Sequence, residues 1–132
     1  MRLMSVKVKE FMQSPVTSCT PNADVADVRD LMKLKNYSAI PIVTIEEENV
    51  QVEGIVTYHD LAGVYDDTVN VRQIMSKGVS TISSIASARE AASVMVDQGI
   101  HHLVVVEGGE MIGMVSSLDF VRLVAQYQPE SA

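Results

Sequence analysis

Basic residues are scarce in this chain: ten lysines and arginines stand against 17 aspartates and glutamates, for a formal net charge of −7. No basic stripe is available to neutralise a phosphodiester backbone, which argues against DNA or RNA as partners. Cysteine is scarcer still. The single thiol, Cys19, has no second cysteine with which to form an internal disulfide. No apolar run approaches the ~20 residues that span a bilayer. Nor do the first residues combine a charged start, an apolar stretch and a small-residue cleavage site. The expectation is a soluble cytoplasmic protein with no membrane role of its own. A glycine-rich phosphate loop is missing, and no serine, histidine and aspartate are arranged for nucleophilic attack. His59, Asp60, His101 and His102 lack tight metal-ligand spacing. Neither an enzyme, nor a metal, nor a required cofactor is expected.

What the chain does have is apolar content: 47% of its 132 residues are hydrophobic. That suffices for a core and argues against disorder, in one ordinary domain or two very small ones.

It also has a repeat. Val8-Lys9-Glu10-Phe11-Met12 aligns with Val71-Arg72-Gln73-Ile74-Met75, and Met32 with Met95, at a constant offset of 63. Further on, Ser38-Ala39-Ile40-Pro41-Ile42-Val43 matches His101-His102-Leu103-Val104-Val105-Val106. Gly54-Ile55-Val56-Thr57 with Asp60 then matches Gly113-Met114-Val115-Ser116 with Asp119, at an offset reduced to 59. The difference falls between two strand-like runs, at Ile45–Asn49 in one copy and Glu107–Glu110 in the other. Both read as turns, which tolerate insertion.

Within a copy, Asp24 and Ser87 are placed as helix N-caps, and Ser87-Ala88-Arg89-Glu90 has capping-box spacing. Helices over 24–36 and 87–99 follow. Val25, Val28, Leu31 and Met32 form one apolar face, and Ala88, Ala91, Ala92, Met95 and Val96 form the other. Two β-branched runs come next, 39–44 with 51–57 and 102–106 with 110–116, each pair reading as a hairpin. Second helices over 58–65 and 117–127 complete the copies. The repeats occupy 5–66 and 67–127, joined at Asp66-Asp67-Thr68, with a flexible tail over 128–132. A unit of about 60 residues is marginal alone, so the copies are expected to pack sheet to sheet as one α/β globule. Glu46-Glu47-Glu48 reads as a solvated hairpin tip, and Cys19 as a small buried strand residue.

This order of elements, with Gly-hydrophobic-hydrophobic-Ser/Thr-x-x-Asp closing the hairpin and opening the last helix, resembles the CBS (cystathionine beta-synthase) domain. Two in tandem resemble a Bateman module, and the likeness covers residues 5–126. The resemblance implies β-α-β-β-α repeats related by pseudo-twofold symmetry, with two clefts that hold adenosine nucleotides or, in some members, S-adenosylmethionine. Carried over by position, one cleft uses Thr57, His59 and Asp60 with Ser83, Ala88, Ile100 and His102. The other uses Ser116, Leu118 and Asp119 with Thr20, Val25, Tyr37, Ala39 and Pro41. The second ranks higher, because Thr20-Pro21 and Tyr37 to Pro41 sit closer to the family pattern. The chemistry is reasonable on its own terms: a carboxylate can accept both ribose hydroxyls, while a hydroxyl and free N–H groups at a helix start suit a phosphate.

The same Ser/Thr-x-x-Asp spacing also caps a helix with no ligand at all. His101-His102 stands where some nucleotide-binding members carry His-Arg, and a histidine is mostly neutral at pH 7. That departure favours AMP or ADP over ATP. Arg122, one turn after Asp119, either reaches a phosphate or solvates a surface. The expected function is a stand-alone regulatory sensor of an adenine nucleotide, acting through an unknown regulated protein and pairing as a homodimer through its helices, as the resemblance implies. The alternatives are a ligand-free dimerisation or docking scaffold, and a sensor of S-adenosylmethionine or NAD.

Overall fold

Local capping and apolar periodicity set most element boundaries. The computed structural model describes residues 3–128, so that 129–132 of the expected tail lie outside the described residues. The order is α1 (Val25–Lys35), β1 (Ala39–Glu46), β2 (Asn49–Thr57), α2 (Tyr58–Ala62), β3 (Thr81–Ser83), α3 (Ala88–Gln98), β4 (His102–Glu107), β5 (Glu110–Ser116) and α4 (Ser117–Gln126). Short 3-10 turns at Val8–Glu10 and Val71–Gln73 lie near the start of the two copies. Helix α2 stops well short of the expected residue 65, at Gly63.

Helix α3 starts where Ser87 Oγ accepts the Glu90 amide at 3.0 Å. Asp24 occupies the equivalent position before α1 but makes no side-chain cap bond. Both helices end on a left-handed residue, Asn36 at φ 57° and Gly99 at φ 64°, the conformation that lets the last carbonyls be satisfied. The buried stripes are Val25, Val28 and Met32 on α1 and Ala88, Ala91 and Met95 on α3. Val96, expected on the second stripe, is 80% exposed. Ala92, also expected there, is half-buried, so the buried face of α3 is two residues narrower than the pattern implies and consists of positions 88, 91 and 95.

The fold is mixed α/β with two small sheets. One pairs β1 with β2, and the other runs β3-β4-β5, parallel then antiparallel. In the first copy the counterpart of β3 shrinks to a single bridge, Cys19 to Ile42, equivalent to Ile82 opposite Val105. A proline explains the loss of one flanking pair, the counterpart of Thr81 opposite Val104. Val104 donates its amide to Ser80 O at 3.1 Å, and its counterpart Pro41 has no N–H to give. Cys19 is half-buried, with its thiol pKa raised first by burial and then by Asp27.

The hairpins correct one expectation. Both turns hold two residues with positive φ, Glu47-Glu48 in one copy and Gly108-Gly109 in the other. This is the geometry that matches the strand twist of a tight hairpin. The four extra residues of the first copy therefore lengthen the arms, two per strand, and not the turn. An even increment preserves which face each side chain points to.

The chain divides into two compact units that cut across the repeats. Thr17–Val79 form one; the residues up to Val16 with the chain from Ser80 form the other. Backbone bonding shows why. Val8 N donates to Ala86 O at 2.8 Å and Ala88 N to Val6 O at 2.7 Å, while Val71 N donates to Ala23 O at 2.9 Å and Val25 N to Val69 O at 2.8 Å. The leading segment of each repeat is thus built into the unit that holds the body of the other. Val25, Val28, Met32, Ile40, Ile42, Val56, Leu61 and Val71 make one core; Val8, Ala86, Ala91, Met95, Leu103, Val105 and Val115 make the second.

Candidate functional site

Each hairpin ends on the hydroxyl residue that opens the next helix. In the Thr17–Val79 unit, Thr57 lies opposite Ala39 in the ladder; in the other unit, Ser116 lies opposite His102. Each motif hydroxyl is thereby set beside the strand start of its own copy. The motif residues lock in place by reciprocal bonding. Thr57 N donates to Asp60 Oδ2 at 2.9 Å while Asp60 N donates to Thr57 Oγ1 at 3.2 Å. This is a complete capping box.

At the second copy Ser116 gives both its amide, at 2.8 Å, and its hydroxyl, at 3.2 Å, to Asp119 Oδ2. Asp119 Oδ1 accepts Gln13 Nε2 at 3.0 Å and Arg122 Nη1 at 3.2 Å. Asp119 is only 5% exposed, and full pairing by donors is what makes a buried carboxylate tolerable. The expectation of free amides at the helix starts is narrowed. Tyr58 N donates to Ser38 O at 2.8 Å and Ser117 N to His101 O at 2.9 Å, so the first amide of each helix is already spoken for.

The other expected site residues divide by burial. Val25, Ala88, Ala39 and Pro41 are buried; Val25 belongs to a core cluster. Thr20, His59, Ser83 and Leu118 are exposed, and Tyr37, Ile100 and His102 are half-buried. Gln13, which sequence reasoning missed, touches a motif carboxylate from 106 positions away. The only signal for it was its place directly after Met12 in the repeated segment. Among the described residues no group of three or more His, Cys, Asp and Glu is placed to hold a metal. No helix among them is long and apolar enough to cross a membrane.

Among the expected site residues, His102 has a shifted titration. Burial holds its pKa below the ordinary 6.5, helped by the neighbouring His101 and opposed by Asp119. It is therefore neutral at pH 7. Below about 6.5 the unfolded chain takes up the proton more readily than the folded chain does, so stability is full above that pH and falls as pH drops toward the folded value. Urea midpoints at pH 7.5 and 5.5 are expected to differ more for the wild-type chain than for His102→Gln. An equal drop in both would assign the loss to other groups.

A family model described as CBS domain matches residues 8–67 and 71–126. An uncharacterized protein of Methanocaldococcus jannaschii is 32% identical over 122 residues, covering 90% of this chain and 44% of that protein. Another, from Methanopyrus kandleri, is 30% identical over 128 residues, covering 92% and 64%. The chain thus spans roughly half the length of these relatives. Among solved structures, an uncharacterized conserved protein from Pyrococcus horikoshii superimposes with a TM-score of 0.84 at 20% identity, each chain fully covered. A CBS domain pair in complex with 5'-methylthioadenosine and S-adenosyl-L-methionine gives 0.81 at 23%, covering 91% and 96%. A protein in complex with AMP gives 0.78 at 21%, covering 92% and 97%.

Proposed function

This chain belongs to the CBS domain family, and from that premise we propose that it is a regulatory module that binds an adenine nucleotide, AMP or ADP ahead of ATP. Binding alters its association with a protein partner. The observation that carries the reading is the duplicated acid. Thr57-Asp60 and Ser116-Asp119 occupy the same place in two copies, each aspartate oriented by a capped helix start. Asp60 Oδ1 accepts no hydrogen bond among the described residues, an acceptor available to a ribose hydroxyl.

The preference for few phosphates rests on charge. Ten basic residues against 17 acidic ones, and a neutral His102 in place of a cation, leave little to hold a triphosphate. Relatives of this fold solved with AMP, or with 5'-methylthioadenosine and S-adenosyl-L-methionine, support an adenosine ligand. Association through helices is supported by Leu118, Val121 and Val124, exposed at 51%, 61% and 61% along one side of α4.

The test is thermal stabilisation by AMP, ADP, ATP, NAD and S-adenosylmethionine. A ligand present at about 100 times its dissociation constant adds ~2.7 kcal/mol of stability. A rise in melting temperature with AMP or ADP that is lost in Asp60→Ala is the expected result. A flat response to the whole set favours the competing docking-scaffold reading, which has one observation behind it: the Asp119 carboxylate is already fully paired by this chain's own donors.

A further inference from the structure

The two motif aspartates differ in what surrounds them, and the difference is written in the repeat. A carboxylate offers about four lone-pair sites. All four at Asp119 are engaged, by the Ser116 amide and hydroxyl on one oxygen and by Gln13 Nε2 and Arg122 Nη1 on the other. At Asp60 only Oδ2 accepts, from the Thr57 amide, among the described residues.

The backbone around the two is nearly the same. Gln13 N donates to Met114 O at 2.8 Å, and the counterpart Ser76 N donates to Ile55 O at 2.9 Å. The side chains are not. Serine at 76 is too short to reach the acid as Gln13 does, and the position matching Arg122 is Gly63, which has no side chain.

We propose that Gln13 and Arg122 form a latch on Asp119, so that Asp60 engages a ribose diol first and Asp119 only after the latch lets go. This rests on the nucleotide reading above, and it reverses the order expected from the family pattern. The latch is built to release. Gln13 lies on the surface and the Arg122 side chain is 55% exposed, so both polar ends can turn to water when a diol replaces them. Its holding strength is modest for the same reason, since an exposed partner adds little to an ion pair.

The experiment has a ligand-free arm and a binding arm, both on the full chain. In the first, the Gln13 side-chain amide protons are followed by NMR in wild type and in Asp119→Ala. A latch gives resonances shifted from those of a free amide that collapse toward them in the variant; identical spectra overturn it. In the second, AMP is titrated into wild type, Asp60→Ala and Gln13→Ala by calorimetry. The expected result is a tighter site lost in Asp60→Ala, and a weaker site that tightens about tenfold in Gln13→Ala, the effect of removing a competitor worth ~1.4 kcal/mol. A weaker site unchanged or loosened in Gln13→Ala overturns the latch, because Gln13 would then be holding the carboxylate ready for the ligand. AMP binding to none of the three chains overturns the nucleotide reading and the order of occupancy with it, while the amide shift still decides whether the contact itself exists.

Discussion

Leu103→Ala is expected to destabilise the chain by about 2–5 kcal/mol, the range for emptying a fully buried leucine site. Leu103 has no exposed surface and sits on β4, between the β3 and β5 partners of its sheet. Its side chain belongs to the cluster with Val8, Ala91, Met95, Val105 and Val115. Those neighbours come from a 3-10 turn, a helix and two strands, so no single shift can close the space left behind. Urea unfolding reads the loss directly: with a slope of about 1–3 kcal/mol per molar, the midpoint moves down by roughly a molar or more. Leu103→Met, which keeps the volume, is expected to cost under about 1.5 kcal/mol. Val96→Ala, at a site 80% exposed, should stay within about 0.5 kcal/mol of wild type. A Leu103→Ala chain that melts like wild type would mean that the core relaxes into the gap.

That core was legible in the sequence because its signals are local. The continuous apolar run Leu103-Val104-Val105-Val106, and the 3.6-residue spacing of Ala88, Ala91 and Met95, are properties of a few neighbouring residues. The ends of α1 and α3 came out within a residue for the same reason. What was illegible depends on which distant segments meet. The hairpin insertion looked like a longer turn because aligned strings do not reveal register, whereas the ladder assigns its four residues to the strands. The exchange of leading segments is hidden for a related reason. Val8 and Val71 are equivalent in either arrangement, and only their amide bonds to Ala86 and Ala23 reveal where each is built in.

The candidate site divides along the same line. Thr57 with Asp60 and Ser116 with Asp119 are three residues apart and could be read as capping pairs from spacing alone. The bonding bears out that capping geometry at Thr57 and Asp60 without deciding against a ligand, since one oxygen of Asp60 accepts no bond among the described residues. The filling of Asp119 could not be read, because Gln13 reaches it across 106 positions. A duplicated motif therefore does not guarantee duplicated chemistry: two side chains outside the motif make the copies unequal.

The glycine of the Gly-hydrophobic-hydrophobic-Ser/Thr-x-x-Asp motif supports the other large prediction. Gly54→Val and Gly113→Val are each expected to lose more than the ~1–3 kcal/mol typical of overpacking, and the alanine variants to fall within that range. A Cβ on Gly54 would sit 2.7 Å and 2.8 Å from two Met75 side-chain atoms and 2.9 Å from Ser76 O. On Gly113 it would press on the Met12 sulfur and lie 3.1 Å from Gln13 O. The thioethers can swing aside. The carbonyls cannot, because Ser76 O accepts the Ile55 amide and Gln13 O the Met114 amide, each at 3.0 Å. The glycines are thus required by a backbone crossing close above them, and Gly54→Ala should cost more than Gly113→Ala because its carbonyl is nearer. Gly78, with nothing within 4 Å of a built Cβ, is the control, and Gly78→Ala should leave the melting temperature almost unchanged. The crossing at Gly113 also carries Gln13 to Asp119. Gly113→Ala should therefore loosen the Gln13 side-chain amide as well as lower stability, whereas Gly54→Ala should lower stability alone. Equal loosening by both variants would mean that Gln13 responds to general destabilisation and not to the position of its own segment.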